Sequence, residues 1–406
     1  MKGFNIFSKV TYLNLFKTLL TLSFGAFLSI LMLVLIEVFF YFNSKWSFLA
    51  PYEVHYTHDN HTKSSKQVEA LLSKMDLSYL NDLKPRKINF YAPFEADGKR
   101  KYKCEPDDLW NFFYFKPNTK FKLTCYTEKT ERIISETSGT MNEFGIRTTT
   151  NSNLTNKKEF LLFLGGSFTF GDGLQDKETI PSQIAMKLPQ FNAYNFGVPG
   201  HGPNHLLASF NSDIRRNKSI TEPTGYAFYI FIDHHFERLF GRLSYTKDYP
   251  QGLFNPYFEN TPNGPKLNGT FVTGRPFLTT LFKFLEFSKT IEYFKINLPI
   301  IGEENIHFFA KVISKMKEEV ITKFNSRELF VIIYPNQHIY AHRLIPILKK
   351  MNIPVMDYSQ IRIDSWLKNN HNILYDGHPT AIANRFFADL LIADMKERKL
   401  INTPKK

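Results

Sequence analysis

Cysteine is scarce in this chain, with two in 406 residues, Cys104 and Cys125. Neither belongs to a Cys or His cluster, so the spacing is unlike a zinc site and no metal is expected. No internal repeat and no low-complexity segment is present. The net charge of +13 invites a nucleic-acid reading, but 38 acids are interleaved with 51 bases and no basic-aromatic recognition motif occurs. Nucleic acid is therefore not an expected partner. The basic excess suits a solvated surface, or attraction to an anionic membrane or cell wall.

Charge is also missing from one long stretch. Residues 18–42 hold a single charged residue, Glu37, among apolar, aromatic and small polar ones. As a helix this run is long enough to cross a hydrocarbon core of about 30 Å. Lys2, Lys9 and Lys17 precede it without an acid. The positive-inside tendency then puts the N-terminus in the cytoplasm and everything after about Asn43 outside, which is periplasmic in a Gram-negative cell. The run exceeds an ordinary signal-peptide core and no small-x-small cleavage site comes after it, so a retained single-pass anchor is expected. Both cysteines fall in the exported part, where a Cys104–Cys125 disulfide is chemically permitted and two buried thiols are the alternative.

The expected organisation is a cytoplasmic tail over 1–17, a transmembrane helix over 18–42, a membrane-proximal region over 43–155 and a main domain over 156–398. The membrane-proximal region has a short helix around Val68–Leu77 and strands such as Lys120–Thr127, and is expected to fold against the main domain. From Lys158 onward strands and helices alternate. Strands are predicted at Phe160–Leu164, Ala193–Phe196, Ala227–Ile232, Leu329–Tyr334 and Pro354–Met356. Ile306, Phe309, Ile313, Met316, Val320 and Phe324 recur at steps of three and four, marking a helix packed on one face. After Asp376-Gly-His378, Pro379 suits a first helical turn, and Ile382, Phe386 and Leu390 continue it. Such alternation predicts an α/β, doubly wound (flavodoxin-like) three-layer parallel sheet, whose sites lie beyond the C-terminal strand ends. Residues 240–300 interrupt the pattern with prolines and glycines. They read as an insertion, either a substrate-selecting loop or an edge decoration.

Chemistry concentrates in Phe160-Leu-Leu-Phe-Leu-Gly-Gly-Ser167-Phe-Thr-Phe-Gly-Asp-Gly173. A buried-strand run ends in glycines around one serine, where a helix is due to begin. That presents Ser167 as a nucleophile. A serine hydroxyl needs an imidazole to take its proton, and the imidazole needs a carboxylate to fix its tautomer. His378 and Asp376 supply those types. Asp172 and Asp176 read as solvated acids rather than metal ligands.

Four blocks stand in order: Gly-Gly-Ser167-Phe-Thr-Phe-Gly, Asn195-Phe-Gly197-Val-Pro-Gly200-His-Gly202, Phe231-Ile-Asp233-His-His235 and Asp376-Gly-His378-Pro. Together they resemble the SGNH (GDSL-type) hydrolase family over Asn142–Met395. The Asn142-x-x-Gly-x-Arg147 lead-in is similar to membrane-anchored bacterial members. The resemblance implies a catalytic Ser167, His378 and Asp376, an oxyanion site using the backbone N–H groups of Ser167 and Gly200, and no cofactor. The chain departs from the family pattern at three points. Gly166 stands where the name-giving pattern has Asp. The last block is Asp-x-His rather than Asp-x-x-His, which resembles polysaccharide O-acetylation enzymes. Asp233-His-His replaces the block that normally contributes an Asn donor; His234 takes that role in one reading, Asn204 or Asn336 in others. The implied function is a membrane-anchored extracytoplasmic serine esterase removing acyl groups, acetyl above all, from envelope carbohydrate. An O-acyltransferase working with envelope polysaccharide machinery is the first alternative, and a catalytically silent scaffold or glycan-binding protein the second.

Overall fold

The computed structural model describes residues 5–46, 66–86, 100–105, 110–111, 114–150, 157–212, 218–337, 339–374 and 376–401. The chain divides into two units, one made of residues 1–59, 242–250 and 276–300, the other of 60–241, 251–275 and 301–406.

The smaller unit is helical. Its α1 (Asn5–Trp46) contains an apolar stretch, Lys17–Phe39, of 23 residues with its described side chains largely exposed. At 1.5 Å per residue this is about 34 Å, long enough to cross a membrane. The shorter α7 (Leu243–Asp248), α8 (Pro276–Leu285) and α9 (Lys289–Tyr293) complete the unit.

In the larger unit, β1 (Arg100–Glu105), β2 (Lys120–Thr127) and β3 (Ile133–Thr140) form an antiparallel sheet in that order. The main sheet consists of β4 (Glu159–Leu164), β5 (Phe191–Asn195), β6 (Thr224–Phe231), β9 (Ser326–Ile333) and β10 (Val355–Asp357). All its pairings are parallel and the strand order is β10-β9-β6-β4-β5. The first strand thus lies between the second and the third, so the winding reverses at the end of β4. A crevice for ligands opens at that kind of switch point.

Alternation along each strand sends neighbouring residues to opposite faces. Leu161, Phe163, Phe228, Ile230 and Ile332 join one core with α2 (Lys66–Leu72), α4 (Ile180–Lys187) and α12 (Ala381–Glu397). Phe160, Leu162, Leu164, Tyr229, Phe231 and Val331 join another with α5 (Pro203–Ser212), α6 (His234–Phe240), α10 (Glu303–Phe324) and α11 (Ala341–Lys350). Both faces are covered. That is why β4 reads as an uninterrupted apolar run rather than an alternating one. The doubly wound three-layer architecture expected from the sequence is present, and all six stripe residues of α10 are buried.

Two local expectations change, and a third falls outside the described residues. The last helix begins at Ala381, because Thr380 caps it by accepting the Ala383 N–H at 3.3 Å. Pro379 therefore precedes the helix instead of opening it. Residues 240–300 are not one insertion: 251–275 contribute the hairpin β7 (Pro256–Thr261) and β8 (Gly264–Thr270) to the larger unit, while 242–250 and 276–300 belong with α1. Cys125 is buried in β2, whereas the Cys104 side chain lies outside the described residues, so the cysteine pairing does too.

Leu162 is fully buried in β4 and Ile321 is on the exposed side of α10. In the full chain in detergent micelles, Leu162→Ala is expected to lower unfolding stability by about 2–5 kcal/mol. Ile321→Ala should change it by less than about 1 kcal/mol. Denaturant titration followed by tryptophan fluorescence measures both.

Candidate active site

β4 ends at Leu164, and after Gly165 and Gly166 a single helical turn, α3 (Ser167–Phe170), starts with the serine. Ser167 is buried to 4% exposure. The turn closes through the Gly171 N–H to the Ser167 carbonyl at 2.7 Å, with Gly171 left-handed at φ 94°. Two close approaches fix this turn. A methyl group at Gly197 would stand 2.3 Å from the Phe170 nitrogen, so the second block packs directly on the serine turn. At Gly166 it would stand 2.6 Å from Arg238 Nη1 and 2.9 Å from the His201 carbonyl. The space that an Asp side chain would fill in the name-giving family pattern is thus taken by the Arg238 guanidinium.

The turn is also held from behind. Arg147, at 1% exposure, uses all five of its N–H donors. Nε reaches Asp176 Oδ1 at 2.8 Å, Nη1 reaches the Phe170 and Gly171 carbonyls at 2.9 and 2.8 Å, and Nη2 reaches those of Ser138 and Leu174 at 3.0 and 2.7 Å. Its guanidinium lies 4.7 Å from the Phe170 ring centroid. The lead-in aims it there: Asn142 Oδ1 accepts the Phe144 and Ile146 N–H groups at 2.9 and 3.0 Å, folding the chain just before Arg147. Asp176 is therefore an ion-pair partner, not a solvated acid.

His378 sits in a loop tied by the Ile373 N–H to the His378 carbonyl at 2.7 Å and by the Thr380 N–H to the His371 carbonyl at 3.0 Å. Its Nδ1 is 3.1 Å from Asp376 Oδ1, and the Ser135 hydroxyl of β3 donates to Asp376 Oδ2 at 2.9 Å. The His378 ring packs beside Phe168, the neighbour of Ser167, with centroids 5.6 Å apart. An Asp-x-His spacing is thus short enough for the acid to bond its own histidine. His378 Nε2 faces a second carboxylate, Asp172 Oδ2, at 3.7 Å. Asp172 is 8% exposed, and among the described residues its buried Oδ1 has no hydrogen-bond partner. This corrects its reading as solvated.

These groups shift one another. Burial alone would lower the His378 pKa, but the Asp376 hydrogen bond and the Asp172 and Asp376 charges outweigh it and leave the imidazole above its usual value. Asp172 is pushed up to about 6, first by burial and further by Asp376, against the pull of His378, Arg147 and Arg238. His234 is lowered by desolvation of its ring and by the Arg238 and His378 charges.

The expected oxyanion donors occupy different settings. Gly200 is exposed and left-handed at φ 78°, with open space where a side chain would be. His234 is exposed at the first position of α6. Asn204 is fully buried, and its amide donates to the Pro256 carbonyl at 2.9 Å and the Arg238 carbonyl at 3.4 Å. It is therefore a structural tie rather than a donor facing substrate. Asn336 is exposed in a left-handed turn, its N–H bonded to the Ser359 carbonyl at 3.3 Å. Asp233, the first residue of the block that lacks the usual Asn, accepts the Ile339 and Tyr340 N–H groups at 3.1 and 3.2 Å. His235 is a core residue bonded to the Tyr229 hydroxyl at 2.6 Å. Among the described residues no group of three or more His, Cys, Asp or Glu is arranged to hold a metal.

Sequence reading missed four contributors: Arg147 as a clamp, Ser135, Asp172 and Arg238. The Asn-x-x-Gly-x-Arg spacing signalled the first and an Asp five residues after the serine the third. Ser135 and Arg238 lie far from the blocks they touch and had no local signal.

No family model matches the chain, and none of the curated proteins matches it. Solved structures similar to it include a member of the lipolytic protein G-D-S-L family from Veillonella parvula, 11% identical, over 58% of this chain and 96% of that one, at a TM-score of 0.33. A lipase/acylhydrolase from Enterococcus faecalis is 10% identical over 61% and 99%, at 0.33. An acetyl xylan esterase (Est2A) from Butyrivibrio proteoclasticus is 10% identical over 62% and 66%, at 0.35. At such values the likeness says nothing about chemistry, which rests on this chain's own residues.

Arg147→Met removes donors from four carbonyls and leaves Asp176 with the Thr140 N–H but no cation, so a loss on the order of 3 kcal/mol is expected. Arg147→Lys keeps the charge but not the fork and should recover only part of it. Chemical denaturation of the three full-length proteins checks this order.

Proposed function

We propose that the chain is a membrane-anchored serine esterase acting outside the cytoplasm on acyl esters of envelope carbohydrate, with acetyl as the acyl group. The observation that carries this reading is the Asp376–His378 pair, bonded at 3.1 Å, with the imidazole packed on the residue after Ser167. Ser167 Oγ attacks the ester carbonyl while His378 Nε2 takes its proton, and Asp376 stabilises the imidazolium. The backbone N–H groups of Ser167 and Gly200 hold the oxyanion, with the neutral His234 ring as a third donor. His378 then gives the proton to the leaving alcohol, and water releases the acyl group by the same steps in reverse. No step requires a metal or organic cofactor.

A second reading is favoured by the Asp-x-His spacing, which resembles polysaccharide O-acetylation enzymes. A sugar hydroxyl then replaces water in the second half-reaction. With p-nitrophenyl acetate, the full chain in detergent is expected to hydrolyse the ester and Ser167→Ala to lose at least about 1,000-fold. Equal rates would overturn the nucleophile. An added oligosaccharide acceptor, followed by mass spectrometry, separates transfer from hydrolysis: acetate alone at high acceptor concentration counts against transfer.

The two carboxylates also set the pH dependence. His378 must be neutral to act as base, and its raised pKa places the rising limb of kcat/KM above the ordinary histidine value of about 6.5. Asp172→Asn removes one of the charges that raise it, so the limb should move to lower pH. A limb that stays in place would show that Asp172 does not act on His378.

A further inference from the structure

The described part of 276–300 exposes an unusually apolar surface. On α8, Phe277, Leu281 and Phe284 recur at steps of four and three on one face, with exposures of 83, 41 and 72%, and Phe287 follows at 82%. The buried positions of the same helix are Thr279 and Phe282. Soluble amphipathic helices turn their apolar stripe inward, whereas here three large apolar side chains face outward. Phe294, Ile296 and Ile300 extend the exposed set, with the charged Lys283 and Lys295 among them.

The level of this surface is fixed by Glu37. That carboxylate, two residues before the end of the Lys17–Phe39 stretch, accepts hydrogen bonds from the Ser288 hydroxyl and from the Lys289 and Thr290 N–H groups, the last two at 2.6 and 3.3 Å. The only acidic residue of the apolar run is thereby bonded to the start of α9. Two residues of helix rise are about 3 Å, so α9 begins level with the last turn of the span. Val38 and Tyr41 of α1 line one groove with Phe284, Phe287 and Ser288. The exposed phenylalanines thus continue the apolar surface of α1 at its outer end, the depth at which aromatic rings meet lipid headgroups.

We propose that residues 276–300 are an interfacial membrane-binding element, lying in the outer-leaflet headgroup and upper acyl region beside α1, with lipid covering Phe277, Phe284 and Phe287. The proposal rests on the reading of α1 as a span. It gives Glu37 a positioning role, since its carboxylate joins the interfacial segment to the anchor.

The test uses the full chain with Cys104→Ser and Cys125→Ala, carrying one added cysteine by Leu28→Cys, Phe284→Cys or Phe287→Cys and labelled with a polarity-sensitive fluorophore. The proteins are reconstituted into phosphatidylcholine/phosphatidylglycerol vesicles with nitroxide lipids bearing the quencher at the headgroup or deep in the chain. Labels at 284 and 287 should be quenched at least about twofold more by the shallow than by the deep nitroxide, and the label at 28 the reverse. Quenching at 28 without quenching at 284 and 287 would overturn the interfacial element and leave the anchor standing. Absence of quenching at all three positions would overturn both. Self-quenching between labelled copies, with no effect of nitroxide lipid at 284 or 287, would assign the surface to a second copy and also overturn the proposal. Adding Glu37→Ala should reduce shallow quenching at 284; unchanged quenching there would overturn the positioning role of Glu37.

Discussion

A buried guanidinium holds the serine turn in place. Arg147 is removed from water, and a cation in that position is tolerated only when its donors are met. Here one carboxylate and four carbonyls meet all five. Two of those carbonyls, Phe170 and Gly171, belong to the end of the turn that begins with Ser167. Helix ends leave carbonyls without internal partners, and a one-turn helix has little else to stabilise it. The arginine supplies those partners, and through Ser138 it also fastens the antiparallel sheet to the turn that follows β4.

The same sheet reaches the other half of the site through Ser135, which donates to the outer oxygen of Asp376. The accessory strands therefore orient both the serine turn and the acid that partners His378. Around the imidazole the charges are balanced rather than simply paired. Asp376 bonds Nδ1, Asp172 faces Nε2, and Arg238 lowers the pKa of both His378 and Asp172. A buried carboxylate with an unmatched oxygen costs stability. Asp172 keeps that cost beside the group whose protonation governs the proposed chemistry.

In the smaller unit the usual relation of polarity to solvent is reversed. Its longest helix is apolar along 23 residues and its neighbour α8 turns phenylalanines outward. Such surfaces gain nothing from water, since exposed apolar area is unfavourable at about 25 cal/mol per Å². A lipid environment removes that penalty. The capping of α9 by Glu37 joins the two elements through the one acidic residue of that apolar stretch.

The sequence by itself determined the sheet and its helices, because periodicity is local: an apolar run sets β4, and steps of three and four set α10. It also marked Ser167, Asp376 and His378, since a strand end, a tight turn and a two-residue spacing are all written within a few positions. What lay beyond it were contacts between residues far apart in the chain. Ser135 and Asp376 are 241 positions apart, and Asp233 and Tyr340 are 107 apart. Only the tertiary structure decided that Asp233 turns to a backbone loop, that Asn204 is a buried tie, that Asp172 is desolvated against His378 and that residues 240–300 divide between two units. Each of these depends on which surfaces pack together, and that is settled by the summed burial of the whole chain rather than by any short motif.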